Sequence, residues 1–95
     1  MEMIHSDNAP AALGPYSQAM RVGSLVYTSG QIGIDPAVGK ITATTVEGQA
    51  AQVCANLRAV LAAVGTDLTR VIKTTCFLAD MGDFAAFNEV YARHF

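Results

Sequence analysis

Two short stretches in the first third of the chain carry residue types that could hold a small molecule. Residues 14–19 have the sequence Gly-Pro-Tyr-Ser-Gln-Ala, and residues 28–31 have the sequence Thr-Ser-Gly-Gln. The phenol of Tyr16 and the hydroxyl of Ser29 can both donate and accept hydrogen bonds. Gly30 has no side chain, so a ligand can approach the backbone there. The pattern predicts a site for a small carbonyl- or carboxylate-bearing molecule.

A β-hairpin is predicted to bring these stretches together. Residues 16–22 and 25–34 have the composition of strands, and Gly23-Ser24 between them suits a tight two-residue turn. Side chains alternate along a strand, so Tyr27 and Ser29 are expected on one face. Residues 35–39 predict a turn, Lys40 begins a short return segment, and the first twelve residues are expected to be irregular.

The clearest predicted element is a helix that follows the hairpin. Thr44 and Glu47 have the spacing of a capping box, which predicts the helix start. Gly65 is placed to end the helix in a left-handed conformation. Apolar residues recur between them at helical spacing and predict one buried stripe: Val46, Ala50, Val53, Leu57, Val60, Leu61 and Val64.

The last third predicts a strand and a second helix. Residues 71–78 are rich in β-branched and apolar types on both faces, which predicts a strand in the middle of the sheet. Asp83 is the expected N-cap of a helix that continues to Phe95. Its apolar face would consist of Phe84, Phe87, Val90 and Tyr91. The order ββαβα predicts an α+β fold with both helices on one face of a mixed sheet.

Composition limits the classes of partner. The 95 residues suffice for one domain, residues 1–95, and 52% of them are hydrophobic, which favours self-association over a slightly apolar monomer. The net charge is −2 and the six basic residues are scattered, so we expect no nucleic-acid partner. There is no signal-peptide pattern and no apolar run of about 18 residues, so we expect a cytoplasmic protein without a membrane span.

The two cysteines, Cys54 and Cys76, lack metal-ligand spacing and have apolar neighbours. We expect both to be buried, reduced thiols that pack as small hydrophobic groups, and no disulfide between them.

Taken together, the motifs resemble one known family along essentially the whole chain. Residues 8–19, residues 28–31, the capped helix, residues 71–78 and residues 83–91 occur in the order of the Rid proteins, the reactive-intermediate deaminases formerly called the YjgF family. The resemblance implies a chorismate-mutase-like α+β fold and a homotrimer with ligand clefts between subunits. It also implies hydrolysis of reactive enamines or imines, such as 2-aminoacrylate, to 2-keto acids and ammonia, without metal or cofactor.

The resemblance assigns functions to four residues. Tyr16 and Ser29 match catalytic positions of the cleft, while Gly30 and Asn88 match substrate-binding positions. Each also has a structural interpretation that involves no ligand. Tyr16 could be a strand aromatic with its hydroxyl in solvent, Ser29-Gly30 a β-bulge, and Asn88 an exposed polar residue of the second helix.

The family pattern also includes segments that these 95 residues do not contain. In family members a Pro-Ala-Arg-type motif supplies an arginine that binds the substrate carboxylate, and a last strand supplies a glutamate that positions water. We therefore expect a truncated Rid-like domain whose status as an enzyme, a 2-iminobutanoate/2-iminopropanoate deaminase-type hydrolase, is open. The alternative is a non-catalytic Rid homologue that binds small carboxylates or has a regulatory role. Ribonuclease activity has little support in the charge pattern.

Overall fold

The computed structural model describes residues 1–95 as two small antiparallel sheets and two packed helices. The first sheet has the order β1-β2-β3, with β1 at Glu2–Ile4, β2 at Ala19–Val22 and β3 at Leu25–Thr28. The second sheet is a hairpin of β4, Ile34–Asp35, and β5, Lys40–Ile41. Helix α1 spans Val46–Ala62, helix α2 spans Phe84–His94, and short 3₁₀ turns occupy Leu68–Arg70 and Met81–Asp83.

The predicted β-hairpin is present but shorter than expected. Val22 pairs with Leu25 across the two-residue turn, where Gly23 has a φ of 60°, a conformation that favours glycine. Strand β3 ends at Thr28, so the single strand predicted over residues 25–34 is wrong. Residues 29–33 are irregular before β4 begins.

The amino-terminal segment contains a strand that the sequence analysis did not predict. Glu2–Ile4 pairs antiparallel with β2, with Ile4 opposite Ala19. Ile4 and Ala19 are both buried in one apolar cluster with Ala9 and Val60 of α1. Burial against α1 therefore stabilises an edge strand that is too short to be evident from its own sequence.

Helix α1 begins and ends with distinct capping interactions. The Thr45 hydroxyl, not that of Thr44, accepts a hydrogen bond from Gly48 N at 3.1 Å, so the capping box predicted from Thr44 is wrong by one residue. At the other end Gly65 has the predicted left-handed φ of 78°. Thr66 N donates to Leu61 O at 3.1 Å, which completes the C-terminal turn. The predicted apolar stripe of α1 is buried or half-buried along its length.

The two adjacent threonines allow a direct test of the helix start. Thr45→Ala is expected to lower the free energy of unfolding by about 1 kcal/mol, because Gly48 N loses its acceptor. Thr44→Ala should change it by less than about 0.5 kcal/mol, as is usual for exposed positions without a specific contact. Urea unfolding followed by circular dichroism measures both. A larger loss for Thr44→Ala would assign the cap to Thr44 instead.

Residues 71–78 form no strand, which corrects the prediction of a central one. The stretch from Ile72 to Ala79 makes no backbone hydrogen bond, and the Ile72 and Phe77 side chains are 85% and 92% exposed. The composition is that of a strand, but a strand also needs a neighbour with free N–H and C=O groups. No strand of these 95 residues lies beside it. All strand pairs in the chain are antiparallel.

Helix α2 packs against α1. Of its predicted apolar face, Val90 is buried, Phe87 and Tyr91 are half-buried, and Phe84 is 51% exposed. Asp83 precedes the helix as predicted, but its side chain makes no capping hydrogen bond; Asp80 instead accepts one from Gly82 N at 2.8 Å. Tyr91 stacks on Phe95 with ring centroids 4.5 Å apart, and its hydroxyl lies 2.6 Å from the Thr74 hydroxyl. Neither helix combines the length and the apolar character that crossing a membrane requires. The α+β class with two packed helices is confirmed.

The two cysteines differ in environment. Both are free thiols; Cys54 is buried in α1 as predicted, whereas Cys76 is exposed, which corrects the expectation that both are buried. Burial raises the pKa of the Cys54 thiol, an effect that Arg58 opposes and Cys76 reinforces.

The two thiols are therefore expected to be alkylated at different rates. At mildly alkaline pH, Cys76 should react with iodoacetamide at least about tenfold faster than Cys54, because the thiolate is the nucleophile and burial disfavours it. Mass spectrometry of digested protein after timed labelling measures the two rates. In denaturant the rates should become equal. Two slow thiols in the native protein would contradict the exposure of residues 71–78.

Candidate functional site

A cavity of about 170 Å³ lies between the loop that precedes β2 and the segment that joins β3 to β4. Its size suits a ligand of a few heavy atoms. It brings together Tyr16 and Gly30, two of the residues singled out in the sequence. The complete lining is Pro10, Ala11, Leu13, Tyr16, Gln18, Gly30, Gln31, Ile32 and Ile34.

Tyr16 places a hydroxyl at this cavity. The side chain is 50% exposed, and its hydroxyl accepts a hydrogen bond from Leu13 N at 3.3 Å. Accepting that bond leaves the phenolic proton free for donation to a ligand. The ring lies beside Gly14, where a Cβ atom would be 3.6 Å from the ring edge. One edge of the ring thus lies close to the Gly14 backbone, while half of the residue's surface stays open.

Ser29 lies next to Gly30 in the chain, but its hydroxyl is engaged elsewhere. The Ser29 hydroxyl donates to Ser17 O, and Ser29 N donates to Gln18 O at 2.9 Å. These two bonds extend the contact between the hairpin arms beyond the last residue of β3. Ser29 is half-buried and does not line the cavity. In this conformation it therefore positions backbone, and a catalytic role for its hydroxyl stays a prediction.

Gly30 and Asn88 differ in their relation to the cavity. Gly30 is exposed, and a Cβ atom built on it would have no other atom within 4 Å, so the backbone there is open to a ligand. Asn88 is an exposed residue of α2 that does not line the cavity. Within one chain the structure brings together Tyr16 and Gly30 and leaves Asn88 apart.

Gln18 is a component of the site that the sequence analysis did not single out. It is 3% exposed, and its Oε1 accepts from Ser6 N at 2.6 Å. Its Nε2 donates to Ser6 O at 3.1 Å, to Ala9 O at 3.5 Å and to Pro10 O at 2.8 Å. One amide therefore fixes the amino-terminal segment, whose residues 10–13 contribute three lining residues. The only sequence signal was a long polar side chain next to an apolar strand.

Asn56 of α1 is the second unpredicted component. It is 1% exposed, and its Nδ2 donates to Ile32 O at 3.1 Å and to Ile34 O at 2.9 Å. A signal for it did exist in the sequence. Asn56 stands three residues after Val53 and four before Val60, so it interrupts the apolar stripe on its buried face. A polar residue at such a position must find partners, because an unsatisfied buried amide is costly.

The cavity is neutral, since no Asp, Glu, Lys, Arg or His belongs to its lining. Its polar groups are the Tyr16 hydroxyl, two glutamine amides and backbone. No group of three or more His, Cys, Asp or Glu side chains in the chain is arranged to hold a metal ion. The arrangement can orient a small polar molecule by hydrogen bonds against apolar walls.

Comparison with known proteins identifies the class. The family described as endoribonuclease L-PSP matches residues 6–95, and this chain belongs to that family. It is 46% identical over 94 residues to a mouse protein named 2-iminobutanoate/2-iminopropanoate deaminase, a match that covers 99% of this chain and 70% of the mouse protein. The Rid resemblance stated from the sequence is thereby confirmed.

Solved structures agree with this assignment. RidA from the Antarctic bacterium Psychrobacter sp. PAMC 21119 superimposes with a TM-score of 0.95 and 42% identity, over 100% of this chain and 76% of the other. E. coli TdcF, solved with bound serine, superimposes with a TM-score of 0.93 and 42% identity, over 98% of this chain and 72% of the other. The Rid-type fold is therefore shown as well as the family.

Proposed function

We propose that this protein hydrolyses reactive enamine or imine intermediates of the 2-aminoacrylate type to 2-keto acids and ammonia. The observation that carries the proposal is the neutral cavity at which the Tyr16 hydroxyl and the open Gly30 backbone meet. The names of relatives support it, because the mouse protein is named a 2-iminobutanoate/2-iminopropanoate deaminase.

The chemistry requires only water and proton transfers. The enamine first takes up a proton at its terminal carbon and becomes the imine. Water then adds across the carbon–nitrogen double bond to give a carbinolamine. The hydroxyl proton moves to the nitrogen as the carbon–nitrogen bond breaks, which leaves a keto group and ammonia. The Tyr16 hydroxyl has its proton available and would bind the imine nitrogen or the attacking water. No redox partner or cofactor is needed.

The substrate carboxylate needs a partner that the cavity lining does not supply. A guanidinium binds a carboxylate through two parallel hydrogen bonds, and no cation lines the cavity. The resemblance gives this role to the arginine of the Pro-Ala-Arg-type segment of family members. It gives the positioning of water to a glutamate in their last strand. Gly30 and Asn88 would complete the substrate-binding set, and Ser29 would join Tyr16 in catalysis.

We also propose that the working form is a homotrimer with the site near subunit boundaries. Support comes from the large exposed apolar side chains on one extended segment, Ile72 and Phe77, which a partner subunit could cover. Such an arrangement would give Asn88 of one subunit a route to the cavity of another. Native mass spectrometry tests the stoichiometry, and a monomer at micromolar concentration would overturn this proposal.

The decisive experiment follows ammonia and 2-keto acid release from 2-aminoacrylate generated in situ by a pyridoxal-phosphate-dependent lyase. We expect the purified protein to accelerate release beyond the spontaneous rate, in proportion to its concentration. Heat-denatured protein is the control. An unchanged rate would overturn the deaminase proposal for this chain.

The second candidate is a protein that binds small carboxylates without turnover. The cavity lining contains no carboxylate or imidazole that could act as a general base, which favours binding without turnover. Calorimetric titration with 2-oxobutanoate separates the two candidates. Binding without catalysis supports the second, whereas binding with catalysis supports the first.

A further inference from the structure

The segment that forms one wall of the cavity has little backbone support of its own. Residues 29–33 lie between the end of β3 and the start of β4 and pair with no strand. Their backbone–backbone hydrogen bonds are few: Ser29 N donates to Gln18 O, and Ile34 N donates to Ile32 O at 2.8 Å. Three members of this segment, Gly30, Gln31 and Ile32, line the cavity. Something outside the segment must therefore fix its position.

Asn56 supplies that support from the buried face of α1. Its Nδ2 bonds to Ile32 O and Ile34 O bracket Gly33, so one amide fixes the segment at two points. The Asn56 Oδ1 accepts a hydrogen bond from Gln52 Nε2 at 2.9 Å, one helical turn earlier. That bond orients the amide so that its donors face the segment.

Gly33 makes the close approach to α1 possible. A Cβ atom at Gly33 would lie 3.2 Å from the Gln49 Cα and 3.3 Å from the Gln49 carbonyl oxygen. Helix backbone cannot move aside easily, so a side chain at residue 33 would push the segment away from α1. The absence of a side chain there and the Asn56 amide thus act together to fix the distance between helix and segment.

We propose that Asn56 is a positioning residue of the candidate site, which sets the Gly30–Ile32 wall through its hydrogen bonds to the Ile32 and Ile34 carbonyls. Asn56 does not line the cavity and acts only through the backbone that does. The kinetic consequence rests on the proposed deaminase function. The structural consequence does not, because the wall position can be measured without substrate.

The test uses Asn56→Asp, which keeps the side-chain shape but replaces the donor with a carboxylate oxygen that faces two carbonyl oxygens. We expect kcat/KM for imine hydrolysis to fall by about 10- to 100-fold, mainly through KM, because the wall no longer fits the bound substrate. In ¹H–¹⁵N NMR spectra the amide signals of Gly30 and Gln31 should shift. Those of Gly65, which follows α1, and Gly82, in the turn before α2, should not.

Leu68→Ala is the matched control for general destabilisation. Leu68 is buried in the turn after α1, outside the cavity. The Leu68→Ala protein should be less stable than the wild type but keep the wild-type KM and the wild-type amide signals of Gly30 and Gln31. A folded Asn56→Asp protein with wild-type KM and unchanged signals would overturn the proposal. If wild-type protein hydrolyses no imine, the deaminase proposal fails, and the NMR comparison alone decides the role of Asn56.

Gly33→Ala keeps the proposal testable should Asn56→Asp fail to fold. The added methyl group displaces the same segment while Asn56 is intact. The amide signals of Gly30 and Gln31 should therefore shift, as expected for Asn56→Asp. Unchanged signals in Gly33→Ala would overturn the proposal, since the wall would then be independent of its distance from α1.

Discussion

Replacing Gln18 with leucine is expected to lower the free energy of unfolding by at least about 3 kcal/mol. The side chain has nearly the same size, so the loss comes from hydrogen bonds rather than from a cavity. Ser6 N would lose its acceptor, and the buried Ser6 carbonyl and the half-buried Pro10 carbonyl would lose their donor. A domain of this size has about 5–15 kcal/mol of stability in total, so the change is large. Urea unfolding monitored by circular dichroism measures it.

Gln31→Leu is the matched control for this prediction. Gln31 is half-buried and lines the same cavity, but its side chain makes no hydrogen bond within the chain. The same chemical change there should alter the free energy of unfolding by less than about 0.5 kcal/mol. Equal losses for Gln18→Leu and Gln31→Leu would show that the amide network around Gln18 does not stabilise the amino-terminal segment.

Removing the Tyr16 hydroxyl is expected to reduce activity far more than stability. Tyr16→Phe should lower kcat/KM for imine hydrolysis by about 10²-fold, the usual contribution of a side chain that transfers or orients a proton. The phenol accepts only one long hydrogen bond, from Leu13 N, so the free energy of unfolding should change by less than about 1 kcal/mol. Steady-state assays with 2-aminoacrylate and urea unfolding give the two quantities.

Tyr27→Phe is the control for the loss of a tyrosine hydroxyl. Tyr27 lies in β3, is exposed and makes no side-chain hydrogen bond, and it does not line the cavity. It should keep the wild-type kcat/KM. If Tyr16→Phe retained full activity, Tyr16 would not be catalytic. An equal fall of kcat/KM in both variants would indicate a general effect of removing a tyrosine hydroxyl.

Local interactions explain which elements the sequence could predict. The turn at Gly23 and the helix end at Gly65 depend on a backbone conformation that favours glycine, so the residue type reveals the position. The stripe of α1 follows from helical periodicity alone. The start of α1 was missed by one residue because Thr44 and Thr45 are chemically equivalent, and the geometry of the preceding chain decides between them.

Non-local pairing explains where the sequence misled. Residues 71–78 have strand composition, yet hydrogen bonding depends on a neighbour that composition does not describe. Glu2–Ile4 shows the converse, because a short segment without a strand pattern pairs with β2 once burial of Ile4 brings it there.

For the site, the sequence by itself determined the candidate residues Tyr16, Ser29, Gly30 and Asn88, the family, and the α+β class, because these depend on residue types and their order. Only the tertiary structure decided that Tyr16 and Gly30 share a cavity while Ser29 bonds to backbone. It also revealed Gln18 and Asn56, whose amides donate to carbonyls 12 and 22 positions away in the chain. A buried hydrogen bond joins residues that are separated in the sequence, and the sequence alone does not tell which residues the fold brings together.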